Sequence, residues 1–181
     1  MKKVKELEEH NFGIFKAKTS LWELDNQDHA ERVVIDSPHW VSAVVVAPSE
    51  GWGQKFVMVK QFRYGINDEI LEFPCGIVEK DEEPLDAILR ECEEEIGLEK
   101  KYVTKIVKLY EKSPNPAFMT NKMTCYYIEV SRIDTSKSHP DADENLTIEF
   151  HTEDNVKQCV NHPNASVMMT LAWEKYKQME D

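Results

Sequence analysis

The chain has 181 residues, 41% of them hydrophobic, which gives one ordinary domain or one domain with a small appendage and enough apolar material for a core, and argues against wholesale disorder. Its 34 acidic and 22 basic residues leave a net charge of −12, which argues against broad binding to DNA, RNA or anionic membranes. A small polyanionic substrate stays open, because a bound cation reverses the local sign.

Residues 1–10, MKKVKELEEH, are dense in charge and read as a short helix or a frayed end, without the apolar stretch of a secretory signal. Phe12 to Asp36 reads as short strands, FGIFKAK, SLWEL and RVVID, ended by Ser37-Pro38. VSAVVVA, Val41 to Ala47, is apolar and β-branched throughout, the pattern of a strand buried on both faces. Gly51 and Gly53 mark a turn into its hairpin partner, KFVMVKQF, Lys55 to Phe62. ILEFPCGIVE, residues 70–79, is a short extended stretch containing Pro74 and Gly76. Pro84 to Ile96 is the clearest helix. Pro84 suits its first turn and Gly97 its C-terminal cap, while Leu85, Ile88, Leu89, Cys92 and Ile96 recur at helical spacing. Residues 103–111 and 123–131 read as strands joined by the loop SPNPAFMTN. An acidic loop fills 134–145, a strand Leu146 to Phe150, and a closing helix Ala165 to Met179. Few helices among strands in mixed order predict an α/β (α+β) fold with a mixed sheet. No apolar run approaches the ~20 residues of a membrane span. The four cysteines form no C-x-x-C pair and have no histidine at zinc-finger spacing, so reduced thiols and a cytoplasmic location are expected.

The chemistry concentrates in GIVEKDEEPLDAILRECEEEIGL, Gly76 to Leu98. Glu91, Glu94 and Glu95 stand at i, i+3 and i+4 and project from one side of the helix. Like charges so placed cost a few tenths of a kcal/mol each, and a hard divalent cation converts that repulsion into coordination by oxygen. The carboxylates alone fit a solvated acidic face as well as a metal site. Arg90 and Glu82 read as an orienting pair, since one arginine among carboxylates fixes their rotamers. Gly76 and Gly97 bracket the unit.

This segment resembles the Nudix box, G-x5-E-x7-R-E-U-x-E-E-x-G-U, with U bulky and aliphatic. Gly76, Glu82, Arg90, Glu91, Glu94, Glu95 and Gly97 supply every fixed letter, and only Cys92 departs, at the first U. A match of this kind arises by chance about once in a million at ordinary residue frequencies. The resemblance implies an α/β/α sandwich with a mixed β-sheet, here with an N-terminal β extension at residues 1–37 and a hydrolase domain at residues 38–181. It implies Mg²⁺ or Mn²⁺ as cofactor and water attack on a diphosphate. By position, Glu91, Glu94 and Glu95 and the carbonyl of Cys75 become metal ligands, and Glu144 the general base ahead of Asp141, Asp143 and Glu149.

QFRYGINDEILEFPCGIVE, Gln61 to Glu79, resembles the ADP-ribose and nucleotide-sugar branch of that family. On that resemblance Arg63 touches substrate phosphate, through the bidentate fork of its guanidinium, and Glu72 lies near substrate or metal. Pro114 falls near the position associated with ADP-ribose hydrolases, and Trp40 or Trp22 stacks on a base or fills core. His39 reads as a cap or a substrate contact. The branch also implies a homodimer that exchanges N-terminal strands. Ser113-Pro114-Asn115-Pro116-Ala117-Phe118 and Pro38-His39-Trp40-Val41 depart from the branch and leave the sugar and base open. Other readings are a nucleoside triphosphate, a dinucleoside polyphosphate or coenzyme A as substrate, and a Nudix-like binding module without catalysis.

Overall fold

The computed structural model describes residues 1–49, 53–141 and 144–180, so the turn expected at Gly51 and the candidate base Asp143 lie outside the described residues. A three-stranded antiparallel sheet comes first: β1 (Lys2–Asn11), β2 (Lys16–Glu23) and β3 (His29–Asp36), in that order. The segment read as a helix or frayed end is therefore a strand. β1 pairs with β2 from Lys2 opposite Glu23 to Asn11 opposite Lys16, and Lys16 Nζ lies 2.9 Å from Glu9 across the pair. Charges spaced for a helix serve equally as cross-strand partners, and the neighbouring strand decides. FGIF is the hairpin turn, with Gly13 at φ 84°, and KAK and SLWE form one strand, β2, where two were expected.

The main sheet contains β4 (Trp40–Ser49), β5 (Gly53–Arg63), β6 (Asp68–Glu72), β7 (Cys75–Ile77), β8 (Val103–Lys112), β9 (Met123–Val130) and β10 (Leu146–His151). Its order is β10-β5-β4-β9-β8, with β6 on β5 and β7 on β4; β4 and β9 are parallel and the other pairs antiparallel, so the sheet is mixed as predicted. Strand β4 explains the layering. Val41, Ala43 and Val45 pack with Ala87, Ile88 and Cys92 of α1 (Pro84–Ile96) on one face. Val44 and Val46 pack with Met169, Ala172 and Trp173 of α3 (Val167–Glu180) on the other. Alternate residues of a strand face opposite ways, so an all-apolar strand demands a helix on each side. The result is an α/β/α sandwich.

Helix α1 spans the predicted residues, but Leu85, in its first turn, leaves the apolar stripe and is 39% exposed. A further helix, α2 (Glu153–Val160), was not expected; Thr152 caps it by accepting from Asn155 N–H, and Val156 and Val160 bury against the core. Helix α3 begins two residues later than expected, at Val167. All four cysteine thiols are free. Among the described residues no helix is long and apolar enough to cross a membrane.

Candidate active site

The site grows from the ends of α1. At its C-terminus Gly97 adopts φ 71°, and its N–H and that of Leu98 return to the carbonyls of Glu93 and Cys92, closing the helix with a left-handed cap. The loop after β9 docks there. Ser138 Oγ donates to the carbonyls of Glu94 and Glu95 at 3.1 and 2.8 Å, and His139 N–H donates to Glu94 O at 2.8 Å. This anchoring carries Asp141 and Glu144 toward the acidic side of α1. The charge of Glu144 is felt by both Glu91 and Glu95.

Along α1, Glu91 is 8% exposed and Glu95 1% exposed. Burial pushes the Glu91 carboxyl up to about 7, against the pull of Arg90 and with the added repulsion of Glu94 and Glu144. Burial raises Glu95 well above the usual carboxylate range, opposed by the Cys75 N–H that donates to its Oε2 at 3.0 Å. Arg90 binds Glu82 through Nε and Nη2, each at 3.1 Å, and Nη2 also donates to Ile77 O at 3.0 Å. Its Nη1 bridges Glu91 and Glu94 at 2.9 and 3.0 Å. Glu82 accepts from Glu79 N–H and is held below its usual pKa by Arg90. The pairing expected of Arg90 and Glu82 is thus present.

Gly76 makes room for this arrangement. A Cβ built there would lie 2.0 Å from Glu91 Cδ, so the backbone of β7 approaches a carboxylate where any side chain would sit. Two buried carboxylates, a third beside them and a backbone cradle form an oxygen donor set that suits a hard divalent cation. A guanidinium already occupies one cationic position between Glu91 and Glu94. As the side chains stand, no three carboxylate, thiol or imidazole groups among the described residues converge on one point.

Facing this wall, Arg63 at the end of β5 donates from Nε to Glu72 Oε2 at 2.6 Å and from Nη2 to Cys75 Sγ at 3.2 Å. A cavity of about 870 Å³ joins the two sides. Its lining includes Arg63, Glu72, Cys75, Gly76, Arg90, Glu91, Glu94, Asp141, Glu144, Trp40 and Pro114. Glu82 and Glu95 stand behind that lining. Glu149 lies on β10 and pairs with His151 at 2.8 Å, away from the cavity. Trp22 belongs to the N-terminal sheet, and His39 accepts from Lys122 N–H at 2.9 Å in a capping role.

The opposite wall was not foreseen. Met123, Val167 and Met168 on the α3 face, with Asn164 and Ser166 from the α2–α3 loop, complete the cavity, and Met119 and Ile14 close it from the loop before β9 and the β1–β2 turn. Asn121, between Met119 and Met123, is fully buried, with no partner for its side-chain amide among the described residues. Methionines in no motif carry no sequence signal for a cavity; only packing brings them together.

A glutamate-bearing helix faces an arginine across one cavity in a sandwich fold. The chain belongs to the Nudix family: the NUDIX domain model matches residues 38–171. It is 36% identical over 136 residues to the ADP-ribose pyrophosphatase of Bacillus subtilis (strain 168), covering 75% of this chain and 70% of that protein. It is 25% identical to the methanol dehydrogenase activator of Bacillus methanolicus, covering 88% of this chain and 82% of that one. In fold it resembles a solved structure described as an ADP compounds hydrolase, with TM-score 0.76 and 15% identity over 99% of this chain and 94% of that one.

Proposed function

We propose that this chain is a divalent-cation-dependent hydrolase that cleaves the diphosphate of ADP-ribose or a related nucleotide sugar, with Mg²⁺ as the working ion and Mn²⁺ as a substitute. The observation that carries this reading is the single cavity in which Glu91 and Glu94 face the Arg63–Glu72 pair. Glu91, Glu94, Glu95 and the Cys75 carbonyl are the groups that would hold the ion. When bound, it neutralises diphosphate oxygens and acidifies water.

The chain's own residues supply the rest. Arg63 presents its unused N–H groups to a phosphate. Arg90 and Glu82 hold the acidic helix side chains in their rotamers. Glu144 takes the proton from the attacking water as its oxygen bonds to phosphorus and the bridging P–O bond breaks. A nucleoside monophosphate and a sugar phosphate leave. Trp40 and Pro114 contact the nucleoside or sugar. The chain is read as a homodimer built through residues 1–37, and its free thiols accord with a cytoplasmic setting. Sedimentation should give twice the chain mass of 21.1 kDa; a monomer at micromolar concentration would remove the dimer.

The direct test is incubation of the purified chain with ADP-ribose and Mg²⁺, with AMP and ribose 5-phosphate resolved by chromatography. Both products should form, chelation should stop the reaction, and Glu95→Gln should lower kcat by at least about a hundredfold with the fold intact. No turnover of ADP-ribose or any nucleotide sugar overturns the proposal.

A further inference from the structure

We propose that the thiol side chain of Cys75 is a positioning residue for Arg63, locking the guanidinium so that its free N–H groups face the cavity. The inference rests on the reading of Arg63 as the phosphate arm. Glu72, 4% exposed, accepts from Arg63 Nε at 2.6 Å. A single contact at Nε leaves the guanidinium able to swing about that bond. The second contact, from Nη2 to Cys75 Sγ at 3.2 Å, fixes the plane. A guanidinium has five N–H donors. These two contacts leave both donors of Nη1 and one of Nη2 for a phosphate.

The same residue reaches the acidic helix, since Cys75 N–H donates to Glu95 Oε2 at 3.0 Å. Cys75 therefore ties the arginine arm to the glutamate helix through one residue, side chain to one and backbone to the other. The carbonyl read as a cation donor belongs to the same residue, but a side-chain change leaves it in place. Alanine deletes the acceptor, whereas serine keeps one.

The test is steady-state kinetics on the full chain with ADP-ribose and Mg²⁺, with melting temperatures alongside. Cys75→Ala should raise KM about three- to tenfold with kcat within about twofold, because a bond to a charged donor that acts in binding alone is lost. Cys75→Ser should stay within about twofold of the parent, since a hydroxyl accepts from the same N–H. Arg63→Ala with Cys75→Ala should be no worse than Arg63→Ala alone, because the thiol acts only through the arginine. An unchanged KM in Cys75→Ala, a serine variant as weak as the alanine one, or a double variant that falls by the product of both effects would each overturn the proposal. A packing role would lower melting temperature without this KM–kcat split. If Arg63→Ala leaves KM untouched, the reading of Arg63 itself fails; if Arg63→Ala raises KM and Cys75→Ala does not, only the thiol assignment fails.

Discussion

On the proposed function, Glu91 is the residue at which a proton and a cation compete. Its folded pKa, about 7, lies above the ordinary 4.5 because burial disfavours its charge. A group raised in this way adds stability that is fully present below the unfolded value and is lost as pH climbs through the folded one. The metal-free protein therefore loses stability between about pH 4.5 and 7 from this residue, as the buried carboxyl is forced to ionise. If Glu91 holds the divalent cation as proposed, the ion should replace the proton and reverse the loss. The rise in melting temperature on adding millimolar Mg²⁺ or Mn²⁺ should be small near about pH 6 and larger near about pH 8. Equal shifts at both values would remove Glu91 from the binding group. Gly76 gives a second residue-scale expectation. Because its missing Cβ leaves space that Glu91 Cδ fills, Gly76→Ala must push that carboxylate aside. Misplacing a catalytic group by about 1 Å costs on the order of a hundredfold in rate, so kcat/KM should fall at least that far, and a near-normal rate would show that the position of Glu91 is not critical.

Helix α1 is both the most legible element and the one that builds the site. Its signals are local: a proline in the first turn, an apolar stripe, a glycine past the end and carboxylates three and four apart. Those features need no partner to be recognised. The stretch KVKELEEH gave a different outcome because its charges satisfy helix and strand alike, and only β2 chooses between them. Helix α2 did carry readable signals, with Thr152 as cap, Glu153 and Asp154 in the first turn, and Val156 and Val160 one turn apart; its short length hid them between a strand and a stronger helix. The motif exposed the acidic wall of the cavity, whereas Met123, Met168 and Asn164 reach it only through the stacking of α3 on β4 and β9. The cap of α1 also seats the loop that follows β9. A Cβ at position 97 would stand 2.3 Å from the Asp134 carbonyl, at a φ that disfavours any side chain. Gly97→Ala should destabilise the fold by about 1–3 kcal/mol, which lowers the melting temperature by roughly 3 to 10 °C. It should also reduce turnover, since the displaced loop carries Glu144. A melting curve identical to the parent would mean that the loop yields without strain.

At the scale of the molecule, the N-terminal sheet holds on to the cavity without entering the core. No residue before Trp40 belongs to either apolar cluster of the main sheet. Yet Ile35 N–H donates to Phe118 O at 2.7 Å, Thr120 N–H donates to Ile35 O at 3.0 Å, and Thr120 Oγ1 donates to Asp36 at 2.8 Å. These bonds pin the loop that brings Pro114, Asn115 and Met119 to the cavity, and Ile14, 79% exposed, adds to the same wall from the β1–β2 turn. The sheet is thus a brace on the Pro114–Met119 wall, while the glutamate side chains of α1 are held by Cys75 and Arg90. Removing residues 1–37 should therefore separate binding from chemistry. The shortened chain should still unfold in one cooperative step, because both clusters remain. Its KM for ADP-ribose should rise about fivefold or more as the loop loses its anchors, with kcat less affected, since ordering the loop then falls to the substrate. In sedimentation the shortened chain should run as a monomer if the full chain is the dimer proposed above. Full-strength binding by the shortened chain would place the nucleoside contacts wholly within residues 38–181 and leave the N-terminal sheet without a part in substrate capture.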